Sequence, residues 1–125
     1  MADFIGEINL IDATATGSGT ATLVNGAIVG IPDGATSGAV TLAVRPERLV
    51  LHGLGDSISE GRNAVRAVVK RRTYYGDVFF YEVDAGLGGL IEVKEENRPD
   101  VAMYEVGDEV QVTWRPEASN LVSAE

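Results

Sequence analysis

One stretch of this chain, residues 62–83, constrains its fold more than any other. Two runs rich in β-branched and aromatic residues lie on either side of Gly76-Asp77. Such runs are typical of strands, and a Gly-Asp pair between them indicates a turn. The stretch therefore predicts a hairpin of two long antiparallel strands.

The two strands of this hairpin are predicted to form the centre of the core. In the first strand Val65, Ala67 and Val69 alternate with residues that are mostly basic, so one face is apolar. In the second strand apolar residues occupy both faces, which predicts burial on both sides. Five of the chain's seven Phe and Tyr residues fall within residues 74–81. Because aromatic side chains bury large areas, we expect the core to form around this hairpin.

The rest of the chain has the pattern of short strands separated by turns. Residues 7–44 predict a small antiparallel sheet, in which Asn25-Gly26 favours a type I′ turn with positive φ at both residues. In residues 109–114, Val110, Val112 and Trp114 alternate with polar residues. No segment has the periodicity of a long amphipathic helix. About ten short strands with frequent turns predict an all-β barrel or sandwich with little helix.

One short motif occurs twice. Residues 40–47 (VTLAVRPE) and 110–117 (VQVTWRPE) match at four of eight positions, and both end in Arg-Pro-Glu. Proline cannot donate to a strand ladder, so each motif ends a strand. One interpretation is a surface ion pair between the Arg and Glu of each corner, which contributes little to stability. The other is that both corners lie at one end of a barrel and form a contact surface.

Length and cysteine content limit the class of protein. A chain of 125 residues buries roughly two-thirds of its unfolded surface, so it needs neither a disulfide nor a metal to fold. We predict a single domain over residues 1–125. The absence of cysteine excludes thiol catalysis and Cys-ligated metal.

The formal net charge of −9 argues against nucleic acid as a partner. Residues 45–72 carry seven bases and three acids, whereas residues 73–125 carry twelve acids and three bases. Such a field repels phosphate backbones, so the middle segment would have to bind nucleic acid alone. We therefore interpret the basic residues of the hairpin either as a solvated outer strand face or as partners of the acidic segments downstream.

The sequence contains no recognisable catalytic motif. It lacks a Gly-rich phosphate-binding loop, and His52 is its only histidine. Paired carboxylates such as Glu95-Glu96 and Asp108-Glu109 lie beside predicted turns, where solvation is the more common role. We predict no catalytic residue, no metal site and no enzymatic activity for this chain alone.

Four segments together resemble a known family. They are Phe4-Ile-Gly-Glu-Ile-Asn9, the corner Val44-Arg-Pro-Glu47, Tyr75-Gly76 with Tyr81 after it, and Gly107-Asp-Glu-Val-Gln-Val-Thr-Trp114 followed by Arg-Pro-Glu. In order and spacing they resemble the C-terminal TOBE-type regulatory domain of ATP-binding subunits of ABC importers. The spermidine/putrescine-type branch is the most similar, and the resemblance extends from Phe4 to Val122.

The resemblance implies a fold, a setting and a set of partners. The fold would be an oligonucleotide-binding-type β-barrel built from segments at both ends of the chain. Phe4, Ile5, Gly6 and Asn9 would form the junction with a preceding nucleotide-binding domain. We expect the chain to be a fragment lacking that domain, which binds ATP and Mg, so the fragment itself needs no cofactor. The expected partners are that domain, a second subunit and the transporter permeases, on the inner face of the cell membrane.

Two functions follow from these observations. The first is a regulatory and dimerisation domain of an importer ATPase, in which the interface includes the two corners. Its candidate residues are Arg45, Pro46, Glu47, Arg115 and Glu117. The alternative is a β-barrel that senses a small cationic or oxyanionic ligand, with Glu92, Glu95 and Glu96 as acidic groups for a cation such as a polyamine. The transported substrate stays open among polyamines, iron, sugars and glycerol phosphate.

Overall fold

The computed structural model of the protein describes residues 8–32, 37–58, 60–96 and 103–123. These residues form ten β-strands and two 3-10 turns, which confirms the predicted all-β fold. In this part of the chain no helix has the length and apolar character needed to cross a membrane. The strands are β1 (Asn9–Thr16), β2 (Thr20–Leu23), β3 (Ile28–Gly30), β4 (Ser37–Val44), β5 (Val50–Gly53), β6 (Asn63–Tyr75), β7 (Val78–Asp84), β8 (Leu90–Glu96), β9 (Glu109–Trp114) and β10 (Ser119–Ser123).

The predicted central hairpin consists of β6 and β7. The two strands pair antiparallel up to the turn, where Gly76 adopts a φ of 62°. As predicted, β7 is buried on both faces, since Phe79 and Phe80 are both buried. One expectation is met only in part: Tyr74 and Tyr75, beside the turn, are 57% and 51% exposed. The end of the hairpin therefore extends beyond the core.

The strands form two five-stranded antiparallel sheets. The first sheet has the order β10-β4-β1-β2-β3, and the second has the order β5-β9-β6-β7-β8. Each sheet thus contains four strands from one half of the chain and the last strand of the other half. The predicted N-terminal antiparallel sheet is confirmed. The expectation that the barrel uses both ends of the chain is also confirmed, because β10 pairs with β4.

The two halves of the chain are related by an approximate twofold symmetry. Strands β1–β5 correspond in order and position to β6–β10, and a 3-10 turn precedes the last strand of each half. The register obeys the same relation: Ala43 pairs with Asn120, and Val50 pairs with Thr113. Thr113 follows Ala43, and Asn120 follows Val50, by the same number of residues that separates the two Arg-Pro-Glu motifs. The two pairs are therefore equivalent positions of the two halves. The short sequence repeat therefore marks a duplication that includes all ten strands.

Two buried asparagines form side-chain hydrogen bonds to the backbone of the outer strands of the sheets. Asn9 begins β1, and its side-chain amide donates to the carbonyl of Glu92 and accepts from the Glu92 N–H, both at 2.8 Å. Asn63 begins β6 and makes the same two bonds to Gly30, at 3.1 and 2.7 Å. Glu92 lies in β8 and Gly30 in β3, the outer strands of opposite sheets. Each amide therefore satisfies the peptide groups of an edge with one donor and one acceptor.

The Asn25-Gly26 turn differs from the prediction. Among the described residues positive φ occurs only at glycines, so Asn25 does not adopt the type I′ conformation. Instead, the Gly26 N–H donates to the carbonyl of Leu23, and Gly26 at φ 91° completes a longer loop. The side chain of Asn25 accepts from the Ala27 N–H and donates to the carbonyl of Ala85, both within 2.9 Å. This contact with Ala85, the residue that follows β7, explains why the turn departs from its local preference.

The second sheet curls until its outer strands β5 and β8 meet. There the Leu51 N–H donates to the Glu95 carboxylate at 2.9 Å. The core between the sheets is made of aliphatic side chains from both halves, with Tyr81 and Trp114 as its largest members. Trp114 ends β9 and is fully buried, so it lies where the chain leaves one sheet for the other.

Replacing Asn63 with alanine tests how much its hydrogen bonds to the outer strand β3 contribute to stability. The substitution removes both bonds to Gly30 and leaves its peptide groups without their partner. We expect the free energy of unfolding to fall by about 1 to 3 kcal/mol. Urea unfolding followed by the fluorescence of Trp114, the chain's only tryptophan, measures this.

The matched control is Asn120→Ala, at an exposed asparagine in β10. We expect that variant to stay within about 0.5 kcal/mol of the parent chain. An equal effect of the two substitutions would show that the Asn63 amide has no special role.

Candidate functional site

The two Arg-Pro-Glu corners have the same backbone geometry. Arg45 precedes the turn Pro46–Arg48 with φ −75° and ψ 145°, and Arg115 precedes Pro116–Ala118 with φ −80° and ψ 142°. In each turn the carbonyl of that arginine accepts a backbone N–H bond, at 3.0 and 2.8 Å. Proline suits the first position because its φ is fixed and it has no N–H to satisfy. The repeated motif thus specifies a repeated corner.

The corners lie together at one end of the molecule and border a common cleft of about 350 Å³, which we call the corner cleft. The corners come together because β4 and β9 both end at this end of the molecule. The chain continues from β4 into β5, which pairs with β9, and from β9 into β10, which pairs with β4. The residues that line the cleft are Arg45, Arg48, Arg115, Glu117, Ala118 and Asn120. Three of the five predicted interface residues, Arg45, Arg115 and Glu117, are therefore on one surface.

The remaining two predicted interface residues have different surroundings. Pro46 is buried, and its turn packs against β8, so it supports the corner from inside. Glu47 is exposed beside the cleft lining. Within the described residues the side-chain ion pairs are Arg66 with Glu109 at 2.9 Å and Arg71 with Glu82 at 3.7 Å. Neither pair involves a corner, so the interpretation of each corner as an internal ion pair is not supported.

Sequence reasoning missed two arginines of this region. Arg48 lines the cleft directly, and Arg62 lies close enough to Arg115 and Glu117 to interact with both charges. Burial and the positive charge of Arg115 lower the pKa of Arg62, whereas Glu117 raises it. Arg62 also donates from Nε and Nη2 to the Thr113 hydroxyl at 3.3 and 3.2 Å. Arg48 follows the first motif directly, but only the fold brings Arg62 to this end.

A second concave surface, which we call the groove, lies between the two sheets and has a volume of about 710 Å³. It is bordered by the start of β1, by β8 and by the outward face of the β6–β7 hairpin. Its apolar lining includes Leu10, Tyr75, Phe80 and Leu90, and its charged lining includes Arg71, Glu82 and Glu92. Leu10, Tyr75 and Leu90 are each at least half exposed. The groove therefore combines exposed apolar surface with carboxylates.

The three acidic residues predicted to share a barrel mouth do not converge. Glu95 lies on the opposite face of β8 from Glu92 and Glu96, because side chains alternate along a strand. The Glu95 carboxylate accepts a hydrogen bond from the N–H of Leu51. Lys94 lies between Glu92 and Glu96 along β8. Of these three residues, only Glu92 lines the groove. The prediction of one acidic cluster from these residues is therefore wrong.

The other predicted positions have simpler outcomes. His52 is half-buried in β5, and within the described part of the chain no three His, Asp or Glu side chains form a potential metal site. Phe4, Ile5 and Gly6 lie outside the described residues. Asn9 is described, and its side chain hydrogen-bonds to the backbone of Glu92 in β8. The role of these four residues as a domain junction stays a prediction.

Comparison with known proteins gives a consistent set of relatives. The chain is 33% identical to the spermidine/putrescine import ATP-binding protein PotA of Pseudomonas aeruginosa, over 99% of this chain and 36% of that protein. It is 31% identical to PotA of Rubrobacter xylanophilus, over 91% of this chain and 31% of the relative. The chain therefore spans about a third of the length of the curated relatives it matches. The predicted resemblance to the spermidine/putrescine branch is confirmed.

The fold also has a solved counterpart. The cytoplasmic molybdate-binding protein ModG superposes with a TM-score of 0.73 at 14% sequence identity, over 90% of this chain and 94% of that structure. At this identity the likeness is one of fold alone. The family model of the TOBE domain matches residues 42–121, which include both corners and the central hairpin. The chain belongs to the TOBE domain family.

Proposed function

We propose that this chain is the C-terminal regulatory and dimerisation domain of the ATP-binding subunit of an ABC importer of the polyamine type. The observation that carries the proposal is the similarity to PotA proteins over nearly the whole chain. Those relatives are named as import ATP-binding proteins. On this proposal ATP and Mg bind to a separate nucleotide-binding domain, and the present domain has no ATPase activity alone.

The same proposal assigns a location and partners. The parent subunit would sit on the cytoplasmic face of the membrane, in contact with the permease subunits. Its TOBE domain would contact its own nucleotide-binding domain and the TOBE domain of a second subunit. The net charge of −9 is compatible with these partners and unfavourable for nucleic acid.

The corner end is the surface that we assign to the contact between two copies. In a twofold symmetric dimer the same patch meets itself, so each charged group needs an opposite charge nearby. Glu47 and Glu117 are both exposed beside the arginines of the corner cleft. In such a dimer the carboxylates of one copy can face Arg45 and Arg115 of the other, which favours association by charge complementarity.

Charge reversal at Arg45 tests this contact. Arg45→Glu places a negative charge opposite the carboxylates of the second copy, so we expect the dimer dissociation constant to rise at least roughly tenfold. Sedimentation velocity across micromolar concentrations measures the constant. The matched control is Lys70→Glu, which makes the same charge change at an exposed residue of β6.

The control variant should dimerise as the parent chain does. Equal dimerisation by both variants would remove the corners from the interface. A chain that stays monomeric at all concentrations would contradict self-association of this domain.

Small-ligand binding is a second candidate function, and the groove is the observation that favours it. Tyr75 and Phe80 pack edge to face at 5.5 Å and present aromatic surface to the groove. Two adjacent carboxylates lie on one wall of the groove, because Glu82 in β7 is paired directly with Glu92 in β8. An aliphatic polyamine offers methylene groups for the apolar walls and ammonium groups for the carboxylates and rings.

Calorimetry with spermidine tests the groove. We expect saturable binding to the parent chain and roughly two- to fivefold weaker binding to Glu82→Gln, the range expected for one partly exposed ion pair. Glu105→Gln, at an exposed residue outside the groove, is the control and should bind as the parent chain does. An absence of heat at millimolar spermidine would contradict this function.

A further inference from the structure

Asn25 is the only asparagine of the chain that precedes a glycine. Asparagine is a thermolabile residue, because the backbone nitrogen of the next residue can attack its side-chain amide. Glycine in that next position lacks a Cβ and so offers the least steric hindrance to the attack. Both residues are exposed in the loop of residues 24–27, between β2 and β3. This loop therefore contains the groups that convert an amide into an acid in water.

Three hydrogen bonds of the folded loop oppose this reaction. The Gly26 N–H donates to the carbonyl of Leu23 at 2.9 Å, so the attacking nitrogen is engaged. The Asn25 amide donates to the carbonyl of Ala85 at 2.8 Å and accepts from the Ala27 N–H at 2.9 Å. Attack requires the amide to leave these partners and turn its carbon toward the Gly26 nitrogen. The reaction rate therefore depends on local opening of the loop.

The partner of Asn25 belongs to the equivalent loop of the other half. Ala85 is the first residue of the loop of residues 85–89, between β7 and β8, which corresponds to the β2–β3 loop under the approximate twofold symmetry. Ala85 is buried. Leu87 and Gly89 of the same loop border the groove. The Asn25 side chain thus connects the first half of the chain to one border of the groove.

We infer that Asn25 is a site of spontaneous covalent modification, at which the chain converts its own asparagine to aspartate and isoaspartate. The Gly26 nitrogen gives its proton to solvent and bonds to the side-chain amide carbon of Asn25. The C–N bond of the amide breaks, and ammonia leaves with a proton from solvent. Water then adds to either carbonyl of the cyclic imide and opens the ring. The reaction consumes water and releases ammonia, with no oxidation or reduction.

The product cannot make the contact that the amide makes. An aspartate at position 25 still accepts from the Ala27 N–H, but it places a carboxylate oxygen where the amide donates to the carbonyl of Ala85. Two acceptors that face each other repel, so the two loops separate. The isoaspartate product also adds a carbon atom to the backbone of the turn. Modification therefore loosens one border of the groove.

Peptide mapping of the intact chain by mass spectrometry, during incubation in mildly alkaline buffer, tests the site. We expect aspartate and isoaspartate to accumulate at position 25 faster than at Asn120, an exposed asparagine that precedes leucine. The same chain unfolded in guanidinium chloride should react at position 25 roughly tenfold faster, because the restraining hydrogen bonds are lost. Conversion no faster than at Asn120 would overturn the site. Equal rates in the folded and unfolded chain would overturn its control by the fold.

The substitution Asp84→Ala tests the contact with Ala85. The Asp84 carboxylate accepts from the Gly86 N–H at 2.9 Å, so its removal loosens the loop that presents the Ala85 carbonyl. We expect conversion at position 25 of the folded variant to be roughly two- to tenfold faster than in the parent chain. Asp77→Ala makes the same charge change at an exposed residue of the β6–β7 turn and should leave the rate unchanged. A rate in Asp84→Ala equal to that of the parent chain, or an equal increase in both variants, would contradict the role of the contact.

The variant Asn25→Asp carries the product of the reaction and measures its effect on the two loops. Hydrogen exchange followed by mass spectrometry should show roughly tenfold faster exchange at residues 24–27 and 85–89 than in the parent chain. Ser18→Asp adds the same charge at an exposed turn residue of the first sheet and should leave both loops unchanged. Unchanged exchange at residues 85–89 in Asn25→Asp would overturn the separation of the loops.

Discussion

Exchange of the last strand between the two sheets is the constraint on which the rest of this structure depends. A four-stranded unit made of β1–β4 or of β6–β9 would leave β4 or β9 as an open edge with unsatisfied peptide groups. In this chain β10 covers the first edge and β5 covers the second. Each exchange requires the chain to leave one sheet and enter the other within a few residues, and the Pro-containing 3-10 turns make that corner possible. The clustering of arginines at one end is a by-product of the same exchange.

The opposite edges need a different solution, because none of the ten described strands pairs with the outer side of β3 or β8. Asn9 and Asn63 supply it, each with a side-chain amide that imitates the donor and acceptor of a neighbouring strand. A hydrophobic residue at either position would bury as well but would leave the peptide groups of Glu92 or Gly30 unmatched. The two asparagines also join the sheets directly, so the interface between sheets is polar at its ends and apolar between Trp114, Tyr81 and the valines. Hydrogen bonding at the ends fixes how the two apolar faces are aligned.

The sequence predicts those features that local chemistry determines. Alternation in β6 and β9 identifies the buried faces, and the repeated Arg-Pro-Glu identifies the two corners. Local chemistry fails where a distant contact decides the outcome. Asn25 has a strong preference for a type I′ turn, but its side chain is used to bind the Ala85 carbonyl. Glu95 resembles its acidic neighbours in sequence, yet it is committed to the backbone of β5. Asn9 belongs to a segment predicted as a junction, and nothing in the surrounding sequence indicates that its side chain hydrogen-bonds to β8. Arg62 reaches the corners only because β6 runs beside β9.

The strand exchange also determines the order in which this domain can become native. Neither half of the chain contains all the strands of its own sheet, so neither half can complete a native sheet by itself. During synthesis β1–β4 can pair as soon as they emerge, but β4 stays an open edge until β10, at the end of the described chain, arrives. Closure of such long loops is costly in entropy and slow compared with forming a local hairpin. The β6–β7 hairpin is therefore suited to form early, whereas the corner end is the last part of the molecule to be completed. Any surface built there, including the corner cleft, exists only in the fully folded domain.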